Sequence, residues 1–484
     1  MEPIYKQNLD VDFRPWVGRK YSVRQLYELV SKLVRSRNPK YLSLVVVLRG
    51  NVSYFPLSPK PNSLTSNRMN KIVEGLRNGT KAGLVYPNSV YIMNVWDEGR
   101  CNIDDLPASA RAAAEGGGGS SRRLQAEPGP AGSAGAEQAA GKGEQERAEV
   151  PAGGEEEEQE EAVTGSGEEA VDEDEADEGE EGEEEEEGEQ LLGGAWGVGG
   201  ARSLAASSKG RSKGSSSKGR RGGPSCTVPL FSLIKSWDYA RGFSHEPDVL
   251  LPFFNHYYQY LYEYPWEKKY DKALMRAALQ AQSGKNCTRM WILALQRNDP
   301  DGQRLLDAGI TNNLHKKIKI KLANFVTIPD HARWRYLLSA DGFTASCRLG
   351  KLMGTNSVVL KEVTPWIEYY YRSLTPNKET VPFTKDSVLD AIKGLEQDPD
   401  RAKKVSAAAQ QFAFTYLSQH SKAMYVRRAL QTYNGLFEDM DAFMSFLKVD
   451  ETKTRPNNGP GAGGLGLTLL GLLEQMKAFT TTRS

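Results

Sequence analysis

Apolar residues recur at helical spacing in "SVRQLYELVSKLV", where Val23, Leu26, Leu29, Val30 and Leu33 share one face. The pattern then changes to unbroken apolar runs, "YLSLVVVL" and "VYIMNV" (Val90–Val95), with no polar alternation. Such runs separated by helical segments predict strands of a parallel sheet covered on both faces, hence an α/β fold. Further along, "KALM" runs into Arg276, "RMWILALQR" is helical, and "RWRYLLSADG" predicts a strand and turn. "TASCRLGKLMG" follows as a predicted helix, "SVVLKE" as another strand, and Asp400–Gln419 as an amphipathic helix bearing Val405, Ala409, Phe412 and Tyr416. After Arg455, "PNNGPGAGGLGLTLLGLL" predicts a loose tail.

Between these two patterned regions the composition shifts. The formal charge of the 484 residues is zero, yet residues 106–224 hold 28 Asp and Glu against 12 Lys and Arg. The remainder therefore carries a net charge of +16. Glu155–Glu189 has 22 acidic residues in 35, followed by the basic "SSKGRSKGSSSKGRRGG". A segment so poor in apolar surface cannot offset its chain entropy and is expected to be disordered. Its basic end has the composition of an RNA-binding tail, but a solvated tether explains it more simply, and no nucleic acid is expected as a partner. The other 365 residues suffice for two domains. No run of eighteen apolar residues occurs, and "MEPIYKQNLDVDFRPW" is charged where a secretory signal would be apolar. Cys101, Cys226, Cys287 and Cys347 lack metal-ligand spacing, so no metal site is expected.

Candidate chemistry gathers where strands end, because ligands of open α/β sheets sit outside the carboxyl ends of the strands. Asp97 follows "VYIMNV", Arg276 follows "KALM", and Asp341–Arg348 follow "RYLLS". The Gly342–Arg348 loop would offer backbone N–H groups to an anion, with Ser346 and Arg348 adding side-chain donors.

"DHARWRYLLSADGFTASCRLGKLMGTNSVVLK", followed by "TPWIEYYYRSLTPNKETVPF", resembles the donor-binding core of glycosyltransferase family 90. "SVYIMNVWDEG", "VPLFSLIKSWDY", "YPWEKKYDKALMRAA", "NCTR", "LLDAGIT", "DPDRAKKVSAAAQQFAFTYL" and "LQTYNGLF" resemble further family segments in the same order, across residues 10–105 and 225–445. The resemblance implies a GT-B architecture: an N-terminal Rossmann-like domain (1–105), the insertion (106–224), a donor domain (225–450) and a flexible tail (451–484). It implies a UDP-sugar co-substrate, no cofactor and no metal, and glucosyl or xylosyl transfer to a protein or glycan acceptor. By the same resemblance Asp97 falls at the catalytic base, and Arg276, Arg289, Asp341, Gly342, Phe343, Thr344, Ser346 and Arg348 fall at the donor site. Trp366 and Tyr369–Tyr371 read as core or cleft wall.

Relatives usually carry glycine where this chain has Ala277, which weakens the donor-site match and keeps a non-catalytic sugar-nucleotide or polyanion binder as the alternative. The family location is the endoplasmic reticulum or Golgi lumen, while the missing signal points to a truncated chain or a cytoplasmic protein. The family also crosses the insertion point in a short link, which would bring Cys101 and Cys226 together for a disulfide in a lumenal protein.

Overall fold

The computed structural model of the chain describes residues 1–36, 39–115, 225–254, 260–283, 287–315, 317–449 and 465–482. The expected disorder of the insertion lies outside the described residues, except for its first ten. There Leu106, Ala110 and Ala114 are buried and Ala108–Glu115 is helical, so the insertion begins after the predicted residue 106.

"LSLVVVL" forms strand β1 (Leu42–Leu48), buried at every position. Its neighbours differ from expectation. Arg49 and Gly50 both take positive φ, 49° and 80°, and close a two-residue hairpin onto β2 (Asn51–Pro56). β3 (Ser89–Asn94) also runs antiparallel to β1, on its other side. Only β4 (Phe231–Ser232) and β6 (Val249–Leu250) extend this sheet in parallel, in the order β2-β1-β3-β4-β6. The predicted all-parallel sheet is therefore mixed in this unit. The capping box of Ser22 and Gln25 starts the predicted helix Val23–Val34, whose five apolar positions are buried.

The second sheet is parallel throughout. Its order is β12 (Val381–Phe383), β10 (Val358–Glu362), β9 (Trp334–Ser339), β7 (Tyr270–Leu279), β8 (Leu306–Asn313). Strand alternation divides its faces. Ala273, Met275, Ala277 and Leu279 enter one core under the helices Thr288–Asn298 and Val388–Glu396, while Leu274, Leu337 and Val359 join the core of the first unit. A short pair, β5 (Lys235–Ser236) with β11 (Trp366–Ile367), ties the units together.

Two boundaries need correction. After the insertion the chain first completes the N-terminal sheet, so residues 225–254 belong to that unit rather than to the donor domain. The C-terminal helices also return to it: Gln419–Gly435 packs on Ser63–Lys81, and Leu469–Thr481 packs on Val23–Val34. Leu472, Met476 and Phe479 are buried there, so this part of the predicted loose tail is a docked helix. Two sheet-centred α/β units facing one another are the expected GT-B arrangement.

Cys101 and Cys226 are disulfide-bonded, 125 residues apart in sequence. A cross-link closing so long a loop restrains the unfolded chain and is worth roughly 2–4 kcal/mol. The Cys101→Ser/Cys226→Ser variant should lose about that much in chemical denaturation. An unchanged midpoint, with both thiols labelled in the native wild type, would show that the bond does not form.

Candidate active site

Asp97 stands three residues beyond β3, in a turn shaped by Asn94. The Asn94 amide donates to Glu98 O at 2.8 Å, and its oxygen accepts from Trp96 N at 3.2 Å. Asp97 is only 7% exposed. Its Oδ1 accepts from Arg68 Nη1 at 2.6 Å, whereas Oδ2 lies 3.4 Å from Nη2. Arg68 projects from the helix Ser63–Lys81 and is itself anchored on Val95 O at 2.7 Å. Glu98, next in sequence, is less buried.

The Asp341–Arg348 loop faces this turn. Trp96, stacked on Tyr41 at 4.2 Å, touches the Phe343 ring with centroids 6.3 Å apart. The charges of Asp97 and Arg68 both act on the Cys347 thiol, whose pKa is pushed up first by burial and then by Glu368 and Asp97. The Asp97 turn and the Asp341–Arg348 loop therefore lie against one another.

Within the loop the predicted residues separate into two groups. Asp341 turns inward: Lys361 Nζ is 3.0 Å from Oδ2, Ser346 N donates to Oδ1 at 2.9 Å, and the Thr364 hydroxyl donates to Oδ2. Thr344 and Ser346 are buried as well, and Gly342 N donates to Thr344 O at 3.1 Å. Phe343, Cys347 and Arg348 are partly exposed. Only Leu349–Leu352 is helical, so most of the predicted "TASCRLGKLMG" helix is this stapled loop.

Arg289 is buried behind the loop, donating to Ala278 O and, at 3.2 Å, to Ala340 O. Gly342 is needed in front of it, because a Cβ there would lie 2.3 Å from Gln280 Oε1 and 3.1 Å from Arg289 Nη2. That Gln280 oxygen holds Phe343 N at 2.6 Å. Gly342→Ala should displace Gln280, release Phe343 and cost about 1–2 kcal/mol of UDP affinity by calorimetry. Wild-type affinity would show that the loop does not carry the nucleotide.

Arg276 is not at a strand end as expected. β7 continues to Leu279, which leaves Arg276 in mid-strand with Nη2 2.8 Å from Asp307 Oδ1 and Nη1 donating to Asp307 O at 2.9 Å. Trp334 Nε1 holds the other carboxylate oxygen at 3.0 Å. The charges of Arg276 and Arg348 nonetheless both act on His331. Burial lowers the pKa of that imidazole to about 4, and the two guanidinium charges add to the effect. Ala277 points into the opposite core, so the methyl group it adds does not narrow the face that carries Arg276.

Arg68, Gln280, Lys361 and Tyr371 are site residues that the motif reading did not include. The Tyr371 hydroxyl contacts Ser346 O at 3.2 Å, which makes Tyr371 a support of the loop as well as cleft wall.

Residues 254–441 match the family model described as Glycosyl transferase family 90. Protein O-glucosyltransferase 3 of Homo sapiens is 30% identical over 150 residues, covering 30% of this chain and 29% of the relative. Protein O-glucosyltransferase 2 of Danio rerio is 32% identical over 138 residues, covering 27% of this chain and 28% of that one. The chain thus spans less than a third of the length of these two relatives. An Anabaena protein, HepE, solved with UDP-glucose, overlaps at TM-score 0.26 and 12% identity, covering 34% of this chain and 49% of that one. The GT-B assignment rests on the sheets described above. The likeness to glycosyltransferase family 90 is therefore that of residues 254–441.

Proposed function

We propose that the cleft catalyses an inverting glycosyl transfer from a UDP-sugar to a hydroxyl of a protein or glycan acceptor. The observation that supports this reading is that the turn bearing Asp97 packs on the Asp341–Arg348 loop, with Trp96 against Phe343 and the Asp97 charge acting on Cys347. Arg68 holds Oδ1 at 2.6 Å and Oδ2 more loosely at 3.4 Å, so Oδ2 is the oxygen better able to accept the acceptor's hydroxyl proton. The oxygen so activated attacks the anomeric carbon as the bond to the UDP oxygen breaks. Arg348 and Arg276 then stabilise the charge on the departing diphosphate. Phe343 lines the nucleotide, while Arg289, Asp341, Gly342, Thr344 and Ser346 give the loop its shape. In this reading Arg348 and Arg276 do the work that a metal ion would otherwise do for the leaving group.

The relatives named as protein O-glucosyltransferases favour glucose over xylose and a protein acceptor. The disulfide favours an oxidising compartment such as the endoplasmic reticulum or Golgi lumen. UDP release measured separately with UDP-glucose and UDP-xylose, in chelator, tests the reading. Faster release from UDP-glucose is expected. No release from either donor alongside tight UDP binding would instead identify a non-catalytic sugar-nucleotide binder.

A further inference from the structure

Behind the donor loop lies a buried polar group that the transfer itself does not use. Glu368 is 3% exposed, and its Oε1 lies 3.2 Å from the Tyr371 hydroxyl. The same hydroxyl lies 3.2 Å from Ser346 O. A phenol has one proton, so it can donate to only one of these two acceptors. If Glu368 is ionised, the charged carboxylate takes that proton, because charge-assisted hydrogen bonds are the stronger ones. Ser346 O then keeps only the Leu349 N–H, at 3.2 Å. If Glu368 is protonated, its own O–H donates to the phenol oxygen and the phenol donates to Ser346. The Glu368 carboxyl, the Tyr371 hydroxyl and Ser346 O are then each paired with one another, as burial favours.

We propose that Glu368 acts as a neutral carboxylic acid that clasps the donor loop through Tyr371 and Ser346, so that its ionisation loosens the grip on the sugar nucleotide. This rests on the reading of Asp341–Arg348 as the donor loop, and Glu368 is a positioning residue within it. The surroundings agree. Burial raises the Glu368 pKa to about 7, against the attraction of Lys422 and the Tyr371 hydrogen bond. Asp341 pushes it the same way as burial, and Lys361 opposes. Lys422, on the helix Gln419–Gly435, is 2% exposed and donates to Phe253 O at 2.6 Å; burial lowers its own pKa to about 7. Tyr369 and Tyr370 are buried beside the pair, and the Cys347 thiol is held neutral by burial. Lys361 Nζ sits 5.4 Å from the Tyr371 ring centroid. Tyr371 keeps its proton, since burial and then Glu368 raise its pKa well above the usual phenol value.

The test is UDP affinity by calorimetry on the full chain, for wild type, Glu368→Gln and Tyr371→Phe. A glutamine amide donates to the phenol oxygen at every pH, and the titration of UDP itself cancels in the ratio of the two dissociation constants. The wild-type to Glu368→Gln ratio should be near one at about pH 6 and rise to about five- to tenfold at about pH 8.5, the effect of one lost hydrogen bond. Tyr371→Phe should bind more weakly than Glu368→Gln at both values. A ratio that does not change with pH would overturn the clasp while leaving the donor loop intact. If no variant binds UDP, the donor-loop reading falls. Infrared spectra then decide the protonation state alone: a carboxylic-acid carbonyl band absent from Glu368→Gln supports a neutral Glu368, and identical spectra refute it.

Discussion

The Asp97→Asn variant should retain UDP binding and a cooperative fold, at a loss of about 1–3 kcal/mol of stability as Arg68 loses its charged partner, while its transfer rate falls by roughly two to four orders of magnitude, the usual contribution of general base catalysis. Asparagine keeps the shape of the side chain and one oxygen for Arg68, but its amide cannot take a proton. The turn itself does not depend on the carboxylate, because Asn94 ties Glu98 O and Trp96 N, and Glu246 Oε2 accepts from Gly99 N at 3.3 Å. Arg68 meanwhile stays anchored on Val95 O, and the Phe253 ring lies 5.5 Å from its guanidinium. Steady-state transfer measured beside UDP calorimetry separates the two effects. Near-normal transfer would remove Asp97 as the base and direct attention to Glu98.

The largest expected loss of stability comes from Asp12→Ala. Asp12 is buried with Lys235 Nζ at 2.6 Å and Arg372 Nη1 at 2.7 Å, and its second oxygen accepts from Leu250 N at 3.1 Å. Lys235 lies on β5 of the short pair that ties the units together, Leu250 on β6 of the N-terminal sheet, and Arg372 on the segment that carries Glu368 and Tyr371. Burial alone would raise the Asp12 pKa, but Arg372 and Lys235 outweigh it and hold the carboxyl below its usual range. Lys235 does not respond as a simple ion-pair partner: burial lowers its pKa by more than Asp12 raises it. Both cations nevertheless stand at contact distance from the carboxylate. Removing the carboxylate leaves two buried cations without their counter-ion, at about 3–5 kcal/mol. Because the Asp12 pKa is lower in the folded state than in the unfolded one, its stabilisation is present above the unfolded value of 3.8 and lost as pH falls through the folded value. Urea denaturation of the variant should show the loss at neutral pH and a weaker acid dependence than the wild type. A loss below about 1 kcal/mol would mean the triad is no better than an exposed pair.

The strands that could be read from the sequence are those with unbroken apolar runs. β1, β3, β9 and β10 stand where "LSLVVVL", "VYIMN", "RYLLS" and "VVLKE" predict them. Their directions could not be read, since parallel and antiparallel strands bury the same residues, although Arg49-Gly50 was a usable hairpin signal. β4 and β6 have two residues each and carry no periodicity at all. The position of Asp97 just beyond a strand could be read, whereas its partner Arg68 lies 29 residues earlier on the helix Ser63–Lys81 and meets it only through the fold. Arg276 was misplaced because "KALMRAAL" continues as strand: Arg276 is held by Asp307, and Ala277 and Leu279 resume the core alternation. "TASCRLGKLMG" has helical propensity, but Asp341 and Tyr371 tie Ser346 from both sides and prevent the first turn. The tail helix depended on an apolar patch on Val23–Val34 that only tertiary packing creates.

Titration of UDP into the full chain by calorimetry, comparing wild type with Arg348→Ala, tests the central claim most directly. Arg348 is partly exposed on the cleft edge of the loop, so its loss should leave the fold intact. Saturable one-to-one binding of UDP by the wild type, weakened by roughly ten- to a hundredfold in Arg348→Ala at an unchanged melting temperature, is the result expected when one charged phosphate contact is removed. Binding indifferent to Arg348, or no binding at all, would contradict the donor site at Asp341–Arg348 and with it the glycosyl transfer built upon it.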